Sequence, residues 1–236
     1  MSENILVVAA HPDDEVLGCG GTIARHAENG DRVHILIVAE GLTSRQEERC
    51  RSAMGIQLSD LKSAAWKAKE ILGAADVELL DYPDNRLDSV DRLDLIKSIE
   101  QRVALFQPET VYLHHSGDVN IDHRIVHDAV ITACRPTPGH SVKRLLSFEA
   151  VSSTEWQPPT SAPIFQPNWF VDISLYWQSK KEALQAYSTE MREWPHPRSI
   201  KALHHLAQWR GAQVGCDAAE AFHLLRNIDR DETLSD

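Results

Sequence analysis

Short apolar runs alternating with amphipathic segments predict an α/β fold with a mainly parallel sheet. Three observations carry that expectation. Strand-like runs at 5–10, 33–39, 77–81, 110–114, 145–150 and 169–173 are separated by helical spacing at 17–29, 59–72, 91–106, 123–134 and 175–187. Gly30 and Gly73 fall where helix C-caps are expected, and Pro108 follows the end of another helix. The first run, Ile5 to Ala10, stops against His11-Pro12-Asp13-Asp14-Glu15.

The elements follow from these signals in order. Strand 5–10 is continuously apolar and leads through the His-Pro turn into a helix that closes at Gly30. Strand 33–39 gives way to a long polar connection at 40–57, after which helix 59–72 closes at Gly73. Strand 77–81 reaches Pro83-Asp84-Asn85-Arg86, and helix 91–106 ends before Pro108. Strand 110–114 runs into His115-Ser-Gly-Asp118-Val-Asn120-Ile-Asp122-His123 and then helix 123–134. Beyond strand 145–150, residues 152–168 are rich in Pro, Ser and Thr; helical spacing returns at 175–187 and 198–209. Residues 220–226 fit helix or strand equally. Connections as long as 40–57 and 152–168 suit binding loops or lids, and equally surface excursions.

At 236 residues, one domain spanning 1–236 is the expected organisation. A net charge of -11 argues against a broad basic surface for nucleic acid or anionic membranes. No run is long enough for a membrane span, and Ile5–Ala10 is too short for a signal peptide. Cys19, Cys50, Cys134 and Cys216 form no CxxC pair, so they read as reduced thiols of a cytoplasmic protein.

Ligands of open α/β sheets collect beyond the carboxyl ends of the strands. If strands 5–10 and 110–114 are central and parallel, their polar ends converge on one crevice. His11, Asp14 and His123 would then offer two imidazoles and a carboxylate, the three-ligand set of a catalytic zinc with an open position. Pro12 stiffens the turn, so His11 and Asp14 can face one ion while Asp13 stays free beside it to move protons. The plainer alternative makes Asp13 and Asp14 caps of a helix starting near Val16. His127 shares a helix face with His123 and reads as a ligand partner or a surface residue. His114 and His115 read as packing or hydrogen-bonding groups, and His26 and His140 as surface residues.

The strand-AHPDDE opening, together with a later Asp-His at a strand end, resembles the PIG-L/LmbE-like zinc-dependent N-deacetylases. Ala68-Lys-Glu-Ile-Leu-Gly73, Pro83-Asp-Asn-Arg86, Asp118-Val-Asn-Ile-Asp-His123-Arg124, Arg210-Gly211 and Ala219-Glu-Ala-Phe222 extend the resemblance over most of the chain. It implies a Rossmann-like three-layer fold and hydrolysis of N-acylated amino sugars and related amides. It assigns His11, Asp14 and His123 as ligands of one Zn²⁺, Asp13 as general base, and Asp122 as the acidic neighbour of the last ligand. Many members carry His-x-Asp-His where this chain has Asn120-Ile-Asp122-His123. Asn120 can offer only a neutral hydrogen bond there, so Asp13 is expected to act as both base and acid. His196 is the candidate to replace the absent histidine, with a Pro-bracketed loop residue as the equal alternative. Members often carry Arg and Glu near positions occupied here by Leu61 and Ala64.

Asp84, Arg86, His196 and Arg198 are the candidate substrate-binding residues, with turn chemistry as the alternative for Pro83-Asp-Asn. Trp156 and Trp169 flank the Pro-rich loop, where sugar stacking competes with core packing. The expected reaction is removal of an N-acyl, chiefly N-acetyl, group from an amino sugar or a sugar-containing intermediate. A non-sugar amidase is the first rival. A non-catalytic nucleotide-binding module is the second, disfavoured because the first strand leads to HPDD and not to GxGxxG. Two His and one Asp also accept Fe²⁺ or Co²⁺, and self-association is compatible with the family.

Overall fold

The computed structural model describes residues 2–45, 48–160 and 162–229; part of the 40–57 connection and one position of the 152–168 loop fall outside these. The elements are β1 (Asn4–Ala9), α1 (Asp14–Glu28), β2 (Arg32–Ala39), α2 (Gly55–Leu72), β3 (Asp76–Tyr82), α3 (Arg92–Phe106), β4 (Thr110–His114), α4 (Ile121–Ala133), β5 (Arg144–Phe148), β6 (Trp169–Asp172), α5 (Trp177–Ala186), α6 (Ile200–Ala212) and β7 (Ala219–Asn227). One seven-stranded sheet runs in the order β3-β2-β1-β4-β5-β7-β6. Strands β1 to β5 are mutually parallel, and β7 lies antiparallel between β5 and β6.

The continuous apolar character of β1 is explained by its central place. Ile5, Val7 and Ala9 face a core shared with Val16, Leu17, Leu61, Leu72, Leu184 and Tyr187 of the α1, α2 and α5 side. Leu6, Val8 and Ala10 face the opposite core, with Leu95, Ile99, Val126 and Val130 of α3 and α4. The period-two alternation of a strand thus divides one hydrophobic run between two layers. The result is the expected Rossmann-like three-layer arrangement.

The chain winds outward from β1 through β2 to β3, then returns to β4 beside β1 (Ile5 opposite Thr110, Val7 opposite Tyr112). That reversal is a topological switch point, where the loops after β1 and β4 part and leave a crevice. Two departures from the sequence expectation stand out. Residues 219–227 form a strand, and its antiparallel insertion separates β5 from β6. Helix α1 begins at Asp14, inside the acidic cluster, instead of at residue 17. Gly73 closes α2 in the left-handed conformation, φ 71°, as its position predicts. No helix among the described residues is long and apolar enough to cross a membrane.

Candidate metal centre

The turn from β1 into α1 sets the centre. Asp14 Oδ2 accepts the His11 backbone N–H at 2.9 Å, folding the carboxylate back over the turn. The same oxygen lies 3.3 Å from His11 Nδ1 and 3.2 Å from His123 Nε2, which arrives on the first turn of α4. Ligand atoms of His11, Asp14 and His123 all lie within 4.8 Å of one another, and all three residues are buried. Asp14 Oδ1 and His123 Nε2 have no hydrogen-bond partner. Buried polar atoms left unpaired are costly. A divalent cation shared by these lone pairs would satisfy them, so the residues fit the implied metal.

The supporting contacts divide between the two imidazoles. Asp122 stands behind His11 and not behind its sequence neighbour His123. Its Oδ2 meets His11 Nε2 at 3.1 Å and its Oδ1 accepts the Leu87 N–H at 3.0 Å. The helical turn explains this: adjacent positions on α4 point about 100° apart, toward different loops. His123 Nδ1 instead lies 3.2 Å from Asp118 Oδ2, and Asp118 is itself held by Thr154 Oγ1 (2.7 Å), the Asn120 N–H (2.8 Å) and the Ser153 hydroxyl. Carboxylates behind both imidazoles fix ring orientation and raise basicity toward a metal.

Asp84 is buried beside His11 and Asp122. It is 2% exposed, with Oδ1 3.3 Å from His11 Nε2 and Oδ2 accepting the Ser44 N–H at 3.0 Å. His114 stacks on His123 at 3.9 Å between ring centres, and its Nε2 accepts the Ala10 N–H. His127 contacts the His114 carbonyl through Nδ1 at 2.8 Å, and His115 reaches the Pro163 carbonyl, so these three serve packing and hydrogen bonding. His26 contacts Asp31 and Tyr112, and His140 the Ala133 carbonyl; neither is merely a surface residue.

Asp13 occupies the N-cap of α1, yet its side chain makes no capping hydrogen bond. Its backbone sits at φ 109°, ψ -28°, and its carboxylate, 1% exposed, receives Arg198 Nη1 at 2.7 Å. Capping therefore does not account for it. Arg198 also donates to Ser152 Oγ at 2.7 Å, and Glu190, which pairs with Arg45 at 2.6 Å, lies 3.9 Å away. Arg198, expected to meet substrate, has a carboxylate to neutralise first in Asp13.

Asn120 caps α4, its Oδ1 accepting the Asp122 N–H at 2.8 Å, while Nδ2 donates to Asn85 Oδ1 at 2.9 Å. One amide N–H is left for a ligand. His196 Nδ1 accepts the Arg198 N–H at 3.0 Å, and its ring meets Trp156 edge-on at 5.9 Å. Arg86 lies half-buried on the loop between Asp84 and Leu87.

Burial opposes charge throughout the cluster, so the charges that survive report their partners. Burial lowers the His11 pKa, but the hydrogen bonds with Asp122 and Asp14 outweigh it and raise it to about 10. His123 follows the same logic, with burial overcome by Asp14 and Asp118, and rises to about 9. Burial pushes Asp14 up, yet His123 and His114 hold it well below the usual carboxylate range. Asp13 goes the other way: burial lifts it well above that range, and Arg198 offsets this only in part. The pocket around Asp14 thus attracts positive charge, while Asp13 is biased to hold a proton.

Fold and site define an α/β protein with a buried His/Asp centre at the switch point of a parallel sheet. The chain belongs to the PIG-L family, whose model, described as GlcNAc-PI de-N-acetylase, matches residues 6–134. It is 28% identical to the "Uncharacterized deacetylase YaiS" of Escherichia coli over 79% of this chain and 91% of that one. It is 30% identical to the 4-oxalmesaconate hydratase of Pseudomonas putida over 82% of this chain and 76% of that one. It is 25% identical to the 1D-myo-inositol 2-acetamido-2-deoxy-alpha-D-glucopyranoside deacetylase of Rhodococcus jostii over 88% and 89%. Among solved structures, the N,N'-diacetylchitobiose deacetylase of Pyrococcus horikoshii superposes with a TM-score of 0.75 at 18% identity, covering 95% of this chain and 84% of that one. That last likeness speaks for the fold.

Sequence reasoning assigned no role to Asp118, Ser153, Thr154, Glu190 or Tyr187. Only Asp118 carried a local signal, an Asx residue two before an N-cap Asn in a loop after a strand. The others come from distant segments and show no pattern that points to the centre.

Proposed function

We propose that this chain, as a single domain, is a divalent-metal-dependent N-deacetylase acting on an N-acylated amino sugar or a sugar-containing intermediate. The observation that carries the reading is the unpartnered pair Asp14 Oδ1 and His123 Nε2 beside Asp13, a buried carboxylate not spent on capping. The sugar-amide deacetylase of Rhodococcus jostii among the relatives supports the reaction class. His11, Asp14 and His123 would hold the ion. Zn²⁺ suits the donor set, and Fe²⁺ or Co²⁺ would also be accepted. Bound there, the ion would polarise the amide carbonyl and make a water acidic enough to lose a proton near neutral pH.

The remaining roles fall to the chain itself. Asp13 takes the proton from water and returns it to the leaving amine, which a raised carboxylate pKa favours. Positive charge on Arg198 beside Asp13 keeps the carboxylate form accessible. Asp118 and Asp122 fix the two imidazoles. Asn120 offers a neutral N–H.

The 30% identity to a hydratase favours one second reading, addition of water to an unsaturated polycarboxylate. A polycarboxylate needs cations with charge to spare. Arg198 and Arg45 already face Asp13 and Glu190, which weighs toward a neutral sugar amide. The test is a screen of N-acetylated sugars, nucleotide sugars and simple amides for amine release, with and without chelator. Loss of ultraviolet absorbance from a conjugated tricarboxylate is followed in parallel. Amine release from a sugar, abolished by chelator, supports the proposal. Release from simple amides alone promotes the amidase, and tricarboxylate hydration alone promotes the hydratase.

A further inference from the structure

Glu15 is 1% exposed and uses both carboxylate oxygens, yet the proposed chemistry gives it no part. Its Oε2 accepts the backbone N–H of Asp13 at 3.1 Å, and its Oε1 accepts the hydroxyl of the fully buried Tyr187 at 2.6 Å. Tyr187 closes α5, so the contact ties that helix to the start of α1 across 172 positions of sequence. In a capping box, the N-cap side chain bonds a helix N–H while an acidic residue inside the helix bonds the N-cap N–H. Here only the second half exists. Glu15, two positions into the helix from Asp13, takes the Asp13 N–H, and the Asp13 side chain bonds no helix N–H.

The geometry points to Glu15 and Tyr187 as positioning residues that hold Asp13 in its left-handed conformation and so keep its carboxylate off the helix terminus and aimed at Arg198. The inference rests on the reading of Asp13 as the proton-moving group. A non-glycine residue at φ 109° persists only where its surroundings impose it. An aspartate at an ordinary N-cap has extended φ and lends its carboxylate to the N2 or N3 N–H. In that posture Asp13 would be spent as a cap. The Glu15 brace supplies the acceptor for the Asp13 N–H, and Tyr187 fixes the brace from the far side. Arg198 then receives the released carboxylate, 2.7 Å away.

The direct test is a crystal structure of the zinc-loaded Glu15→Ala variant, with Glu15→Gln as the conservative control. Glu15→Ala is expected to keep zinc while Asp13 leaves positive φ and its carboxylate swings onto the helix N-terminus. Glu15→Gln, which retains an oxygen for the Asp13 N–H, should restore the posture. An unmoved Asp13 in Glu15→Ala overturns the inference without reference to activity. Kinetics on a substrate from the amine-release screen provide the second arm. Glu15→Ala should lower kcat by about tenfold or more with KM within about twofold, the pattern of a lost transition-state interaction. Tyr187→Phe should do the same more weakly. Combined with Asp13→Ala, the Glu15 effect should vanish, because the two act as one unit. An undiminished Glu15 effect in the Asp13→Ala background assigns Glu15 a general structural role and rejects the inference. If Asp13→Ala alone proves fully active, the reading of Asp13 fails; if Asp13→Ala is inactive and Glu15→Ala normal, only the brace fails.

Discussion

The two ends of the sheet use the same residue types to opposite effect. At the amino end, Asp31 contacts His26 Nδ1 at 2.7 Å, His26 Nε2 contacts the Tyr112 hydroxyl at 3.0 Å, and Asp31 Oδ1 accepts the Glu3 N–H at 2.9 Å. Arg144 there pairs with Glu3 and donates to Thr110 Oγ1 at 3.0 Å. These polar side chains find protein partners. At the carboxyl end, Asp14, Asp84, Asp118 and Asp122 surround two imidazoles, and Asp14 Oδ1 and His123 Nε2 make no hydrogen bond. Histidine and aspartate in contact are therefore no sign of chemistry in themselves. What distinguishes this centre is that its unmet atoms belong to residues able to share one cation.

The largest expected effect is at the unmet atoms. His123→Ala should lose the divalent ion on dialysis, measured by elemental analysis, whereas His127→Ala should retain close to one per chain. Retention in the former and loss in the latter would move the third ligand to His127. Asp13→Asn comes next: metal content unchanged, turnover down by roughly 10²–10⁴. Near-normal turnover would remove Asp13 from the proton path.

Asp118→Asn sharpens the comparison further, since Asp118 is a paired group standing directly behind an unpaired one. Metal affinity should fall by about 10–100-fold in competition with a chromogenic chelator. Burial pushes the Asp118 pKa up, but the contacts with His123 and Ser153 bring it down to about 2, below its ordinary 3.8. A depressed carboxylate stabilises the fold above its unfolded value, and that stability is lost as pH falls through the folded value. Wild type should accordingly lose stability between about pH 4 and 2 more steeply than Asp118→Asn; parallel acid titrations by circular dichroism would contradict this. The smallest effect is expected at the amino end, where Asp31→Asn should cost about 1 kcal/mol in denaturant melts and leave metal content and turnover unchanged. A change in either would tie that end to the centre.

Much of this was legible in the sequence because it is local. The apolar run of β1, the Gly73 cap and the alternation of elements each need only neighbouring residues to be read. The convergence of His11, Asp14 and His123 needed one further assumption, that β1 and β4 are adjacent and parallel, and the sheet order supplies it. The placement of Asp84, Asp122 and Arg198 was not legible. Each is a polar residue in a loop or at a helix start, and its partner is decided by which segment packs opposite. Residues 220–226 were ambiguous for a similar reason: a segment of mixed pattern, within the nine residues Ala219–Asn227, becomes a strand because two strand edges stand open beside it.

The sequence by itself determined the layered α/β plan and the clustering of ionisable groups where the first strand stops, because hydrophobic period and turn chemistry act over a few residues. Only the tertiary structure decided how those groups divide. It turned Asp122 and Asp84 toward His11, Asp118 toward His123, and Arg198 toward Asp13, and it set Glu15 and Tyr187 behind the Asp13 backbone. Those pairings join segments up to 185 positions apart. They are set by how buried charge finds its nearest compensation once the layers have closed, and no local pattern encodes that.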